Sequence, residues 1–230
     1  MIEQPTTFLS KQGNKIHFAL VLLMYLTGFY AILVISPIEP DQQMAQKIFY
    51  LHVPSAWTSF FAYFLVMIFS IQFLRTKNAK WDNYAFATAE VGTLFCAFVL
   101  ISGPIWATPI WGRAWSWEPR LTTTLIMFLV YLGYFMLRQY GGSYERVSRL
   151  AAAVGIIAFL DVPLVYYSVK LWSPEVQSHP QPGMFQQPWD IVGTFLFLLT
   201  TFIFTFIFMV KYRLHVLNLN GLLKRESSDS

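Results

Sequence analysis

Six apolar blocks of about 20 residues each decide what this 230-residue chain can fold into. They run at about 16–35, 55–74, 84–103, 121–138, 150–169 and 190–210, each closed off by charge, Pro or Gly. At about 1.5 Å of rise per residue, a helix of this length crosses the roughly 30 Å of hydrocarbon in a bilayer. Charged residues are only 12% of the chain, against about 25% in soluble domains, so a water-soluble core does not account for the blocks. The expectation is an all-α, polytopic bundle of six transmembrane helices with short outer interfacial segments, forming one domain over 1–230. The polar stretch 218–230 reads as a disordered tail.

Basic residues orient such a bundle, because short Lys/Arg-rich loops stay in the cytoplasm. Twelve of the 16 Lys and Arg residues, among them Lys11, Arg75, Arg138 and Lys211, fall on the side of the termini. Lys47, Arg113, Arg120 and Lys170 fall opposite. The pattern predicts a multi-pass membrane protein with both termini cytoplasmic. The net charge of +4 is then an insertion signal in contact with the lipid bilayer, and nothing points to nucleic acid.

Cys96, the only cysteine, lies inside the third block, and no C-x-x-C-H motif is present for covalent heme attachment. There is no phosphate-binding loop, so an ATP-driven step would need another subunit. Two acids fall inside blocks, Glu90 in the third and Asp161 in the fifth, two residues before Pro163. Intramembrane acids serve proton relay or interhelical hydrogen bonding. With no ladder of acids or histidines continuing a path, bonding between helices is the favoured role.

The chemistry gathers in the three outer segments, about 36–54, 104–120 and 170–189. Seven of the eight tryptophans (57, 106, 111, 115, 117, 172 and 189) map to the outer side and Trp81 alone to the inner side. Aromatic belts form at both interfaces, so this asymmetry is either a lopsided belt or a platform for a large planar apolar ligand. Residues 111–117 have no fixed conformation from sequence. As a helix they would put Trp111 and Trp115 on one face; Pro119 marks the first turn of the fourth span. Met44, Ile48 and His52 share a stripe of a short interfacial helix, and Pro54 suggests a fresh helix start just after His52. Four prolines make the third outer segment irregular.

Of four histidines, His17 and His215 lie near inner ends, whereas His52 and His179 share the outer side with the tryptophans. Each alone reads as an interfacial polar residue. Together, flanking a Trp-rich loop, they suit axial ligation of heme iron from opposite faces, with Met184 a less favoured substitute for the second His. Arg113 and Arg120 are candidate partners for heme propionates, or for Glu118 or lipid phosphate; neither role excludes the other.

Trp111-Gly-x-x-Trp115-x-Trp117-Glu118-x-Arg120-Leu-Thr resembles the tryptophan-rich "WWD" signature of heme-handling membrane proteins. Glu118 stands where the signature's name has Asp. Leu51-His52-Val53-Pro54-Ser55-Ala56-Trp57 and His179-Pro180 resemble the flanking histidine segments of the cytochrome c maturation protein C (CcmC) family, over residues 40–190. The resemblance implies non-covalent heme b held by His52 and His179, with Trp111, Trp115, Trp117, Glu118 and Arg120 in a docking loop. It also implies delivery to a membrane-anchored heme chaperone (CcmE-like). Further implied partners are an ABC-type ATPase and its membrane subunit (CcmA-like, CcmB-like) and a small single-span subunit (CcmD-like). No catalytic residue is expected, since the work is ligand exchange. The alternatives are a membrane b-type cytochrome exchanging electrons with quinone, which would place ligating histidines inside spans, and a heme-free solute transporter using Glu90 and Asp161.

Overall fold

The computed structural model describes residues 8–172, 179 and 184–229. Among these, seven α-helices follow one another: α1 (Gln12–Tyr30), α2 (Phe49–Thr76), α3 (Ala79–Trp111), α4 (Pro119–Tyr140), α5 (Tyr144–Ala158), α6 (Asp161–Leu171) and α7 (Trp189–Asp229). No strand occurs among the described residues. Six stretches are long and apolar enough to cross a membrane, with α5 and α6 together forming one of them. The chain is thus an all-α, multi-pass membrane protein.

Several element boundaries differ from the sequence reading, α7 among them, which runs to Asp229 instead of ending near 210. Helix α2 begins at Phe49, continuing directly from a 3-10 stretch, Gln43–Ile48, so Pro54 lies inside the helix instead of opening it. His52, expected just ahead of the helix, is therefore in its first turn. Helix α3 likewise continues through Pro104 and Pro109 to Trp111. A proline removes a single ladder bond, whereas leaving helical geometry in an apolar setting would free several backbone groups. Conversely, the fifth block divides at Phe159–Leu160. Pro163 cannot donate to the carbonyl of Phe159 and its ring crowds it, and the chain crosses the break with tighter bonds, Leu160 N–H to Ile157 O and Val162 N–H to Phe159 O.

Helices α2 and α3 form the central hairpin. Lys77 adopts a left-handed conformation (φ 56°) at the end of α2, and the Asn78 side chain caps α3 by accepting from Lys80 N–H at 2.9 Å. The two helices run so close that a Cβ at Gly92 would lie 2.6 Å from the Ala62 Cβ. On one side of this hairpin, Tyr50, Val91, Phe195, Leu198 and Phe202 build a core with α7. On the other, Tyr63, Val66, Cys96, Met127, Tyr131 and Ala151 build a second with α4 and α5, in which Tyr63 and Tyr131 stack at 3.8 Å.

Charge secures both ends of the bundle. At the end away from the Trp-rich loop, Arg138 of α4 pairs through both terminal nitrogens with buried Asp82 of α3. Nearby, Arg213 of α7 grips Glu90 of α3 at 2.5 and 2.9 Å. Glu90 therefore joins two helices, as the favoured reading had it, through an arginine the sequence did not single out. At the Trp-bearing end, the buried Lys47 ammonium donates to Ser36 O (2.6 Å), Ser36 Oγ (2.7 Å) and Pro37 O (3.0 Å). It thereby closes the end of the first span onto the start of the second.

Candidate functional site

The site is built on the last three turns of α3. Gly112 ends this helix in the left-handed region (φ 68°), its N–H bonded to Thr108 O, which a residue with a Cβ adopts only under strain. The chain then runs without helix to Glu118, the residue before α4, and Pro119 occupies the first helical position as the sequence indicated. Residues 112–118 are therefore a loop. Trp111 stays on the helix, while Trp115 packs edge-on against Trp117 at 5.7 Å.

His52 comes from α2 and rests on α3. Its Nδ1 lies 2.9 Å from Ser102 Oγ, and its ring meets Trp106 edge-on at 5.7 Å. Trp106 is itself tied by Nε1–H to Gln42 Oε1 at 3.2 Å. His179, from the third outer segment, meets Trp111 edge-on at 5.2 Å. Trp106 and Trp111 are five residues apart, about 7.5 Å along the helix axis. Both imidazoles thus lean on one helix end.

Glu118 ties the loop to the second histidine. Its carboxylate is buried, accepts from Ser116 Oγ at 2.8 Å, and has Arg113 at 3.7 Å and His179 Nδ1 at 3.8 Å. Of the two arginines, Arg113 is exposed and sits by Glu118. Arg120 is turned to α6, donating to Val165 O (3.4 Å) and Tyr166 O (2.8 Å), which occupies two of its five N–H donors. Trp117 is 76% exposed and Trp189 82%, a large aromatic surface open to a ligand or partner. Met184 begins a 3-10 turn, Met184–Gln186; Pro180 lies outside the described residues.

Burial pushes the His179 imidazole down to about pKa 4, and the Arg120 charge pushes the same way against the opposing pull of the Glu118 carboxylate. The neutral ring, the form that can bind a metal, is thus the resting state at neutral pH. Neutral burial stabilises the fold above the free-histidine value near 6.5, and that contribution is lost as pH falls from there towards 4. In the heme-free chain, the His179 imidazole resonance is expected to titrate near pH 4. Glu118→Gln should move that midpoint lower still; a midpoint near 6.5 in the parent chain would contradict the burial described here.

The other histidines are engaged elsewhere, His17 Nε2 at 2.9 Å from Phe204 O and His215 against the ring of Phe8. Sequence reasoning missed Ser102 and Gln42. A single hydroxyl in an apolar block and a glutamine in a polar loop carry no periodic signal, and only the α2–α3 packing shows what they touch. The donor chemistry suits a bis-imidazole iron site: Nδ1 of His179 and Nε1 of Trp115 are buried with no hydrogen-bond partner among the described residues, and both imidazoles meet indoles of one helix end.

The family described as heme exporter protein C matches residues 2–229. A putative cytochrome c biosynthesis ccmC-like mitochondrial protein of Marchantia polymorpha is 31% identical over 185 residues, covering 80% of this chain and 78% of its own. Heme exporter protein C of Bradyrhizobium diazoefficiens is 31% identical over 174 residues, covering 75% of this chain and 66% of its own. Heme exporter protein C of Escherichia coli K12 is 31% identical over 175 residues, covering 72% and 70%. With a family match over almost its whole length, this chain belongs to the heme exporter protein C (CcmC) family.

Proposed function

We propose that this chain holds heme b non-covalently at its outer face and passes it to a membrane-anchored, CcmE-like chaperone for cytochrome c biogenesis. Heme is cargo in this scheme. His52 and His179 hold the iron, while Trp111, Trp115 and Trp117 face the ring edge. Arg113 and Arg120 balance the propionates, and Glu118 steadies His179. The observation that carries the reading is the meeting of two histidines from separate outer elements on one Trp-rich helix end. Their placement favours delivery over quinone-linked electron transfer, because His17 and His215 offer no second ligand pair within the bundle. ATP hydrolysis falls to a CcmA-like subunit, with a CcmB-like membrane subunit and a CcmD-like single-span protein completing the assembly in the inner membrane.

The termini lie on the cytoplasmic side in this proposal. Chain purified from heme-replete membranes should show a Soret band, and its absence would leave a heme-free transporter as the better reading. Replacing both Trp115 and Trp117 with Ala should leave most heme bound but slow covalent capture by the chaperone about tenfold or more, as loss of a central aromatic anchor does at other interfaces. Transfer at the parent rate would remove the docking role from these indoles.

A further inference from the structure

The hydroxyl beneath His52 has a determinate role. Ser102 Oγ has one proton, and its shortest acceptor is Phe98 O at 2.7 Å, one helical turn back on α3. With that proton engaged, the hydroxyl meets His52 Nδ1 at 2.9 Å as an acceptor, so Nδ1 must carry the hydrogen. A neutral imidazole protonated at Nδ1 has its lone pair at Nε2. The packing orients the ring to match. A Cβ built on Gly103 would lie 3.3 Å from His52 Cε1 and 3.9 Å from Nδ1, so it is the Nδ1–Cε1 edge that faces α3. Trp106, fixed through Gln42, limits ring rotation from one turn further along.

We propose that Ser102 is a positioning residue for His52: its hydroxyl fixes the Nδ1–H form of the imidazole and so reserves Nε2 for the iron of the cargo heme. The inference rests on His52 being an iron ligand, as proposed above, and adds what prepares it. An N–H donated to an oxygen raises the basicity of the opposite nitrogen, which strengthens the iron bond and favours the ferric state. The two ligands are thereby unequal. His52 leans on a neutral hydroxyl, whereas His179 has a carboxylate at its Nδ1.

The test uses the full-length chain loaded with heme. Ser102→Ala should release heme about 10- to 100-fold faster, the range expected when a partner behind a metal ligand is removed. It should also shift the iron midpoint potential upward, while Ser102→Thr, which keeps the hydroxyl, should restore both. A direct probe of the N–H bond is His52→Gly supplied with imidazole or with 1-methylimidazole, which has no N–H to donate. Imidazole should bind more tightly by about tenfold, allowing for intrinsic basicity, and adding Ser102→Ala should erase that preference. Unchanged release and potential in Ser102→Ala, or equal binding of the two imidazoles in His52→Gly, would overturn the role of Ser102 alone. A parent-like spectrum and heme content in His52→Ala would overturn the ligand assignment, and the role of Ser102 with it.

Discussion

The His52→Ala and His179→Ala chains are each expected to leave heme-replete membranes with their heme affinity lowered by more than about 100-fold, beyond the 10- to 100-fold that follows loss of a group behind a metal ligand. The expectation rests on the separateness of the two ligands. His52 is fixed in α2 against Ser102 and Trp106, and His179 arrives from another element against Trp111 and Glu118, so neither can stand in for the other. The single-histidine chains should retain weak, five-coordinate heme with an altered Soret position, and the double variant should retain least. Parent-like absorbance from His179→Ala would show that the second ligand lies elsewhere. Labelling offers an independent check: Cys96 is buried, so cysteines introduced at positions 52 and 179 report alone, and both should react from the same side of the membrane.

The second large effect concerns the opposite end. Asp82→Ala should destabilise the bundle by about 3–5 kcal/mol, the range found when one member of a buried ion pair is removed. Side-chain exposure is only 3% for Asp82 and 11% for Arg138, so the abandoned guanidinium has little water to turn to. It is also held over the rings of Phe86 (4.7 Å) and Tyr134 (4.9 Å), contacts that restrain it from swinging outward. Thermal unfolding in detergent should show the loss. Replacing both partners with apolar residues of similar volume, Asp82→Leu with Arg138→Met, should recover most of it, because the cost lies in the unpaired charge. Equal destabilisation by the single and double variants would mean that the pair contributes net attraction. The Glu90–Arg213 pair, with side chains 28–29% exposed, should respond less.

These two ends illustrate different degrees of legibility. The outer chemistry was readable because composition breaks symmetry there: seven tryptophans and two of four histidines map to one side, and the motif around Trp111–Arg120 has a recognisable spacing. The inner charge pairs were not readable. Asp82, Arg138 and Arg213 sit near block edges, where a sequence reading sees ordinary flanking charges. Only the packing of α4 and α7 against α3 brings them to acids. Arg120 shows the same limit at the outer side. Its type and place suggested a propionate partner, yet its fork also donates to carbonyls of α6.

By itself the sequence determined the number of the crossings, because hydrocarbon thickness acts on each segment independently of its neighbours. It also determined the helix start at Pro119, which follows from local backbone chemistry. Tertiary structure decided where helices continue through Pro54, Pro104 and Pro109 and where the fifth crossing breaks. Those outcomes depend on whether surrounding helices leave unpaired backbone groups any alternative partner. It decided, too, that His52 meets Ser102 fifty residues away, since a hydrogen bond between two helices depends on their relative rotation and depth, which no spacing within either helix specifies.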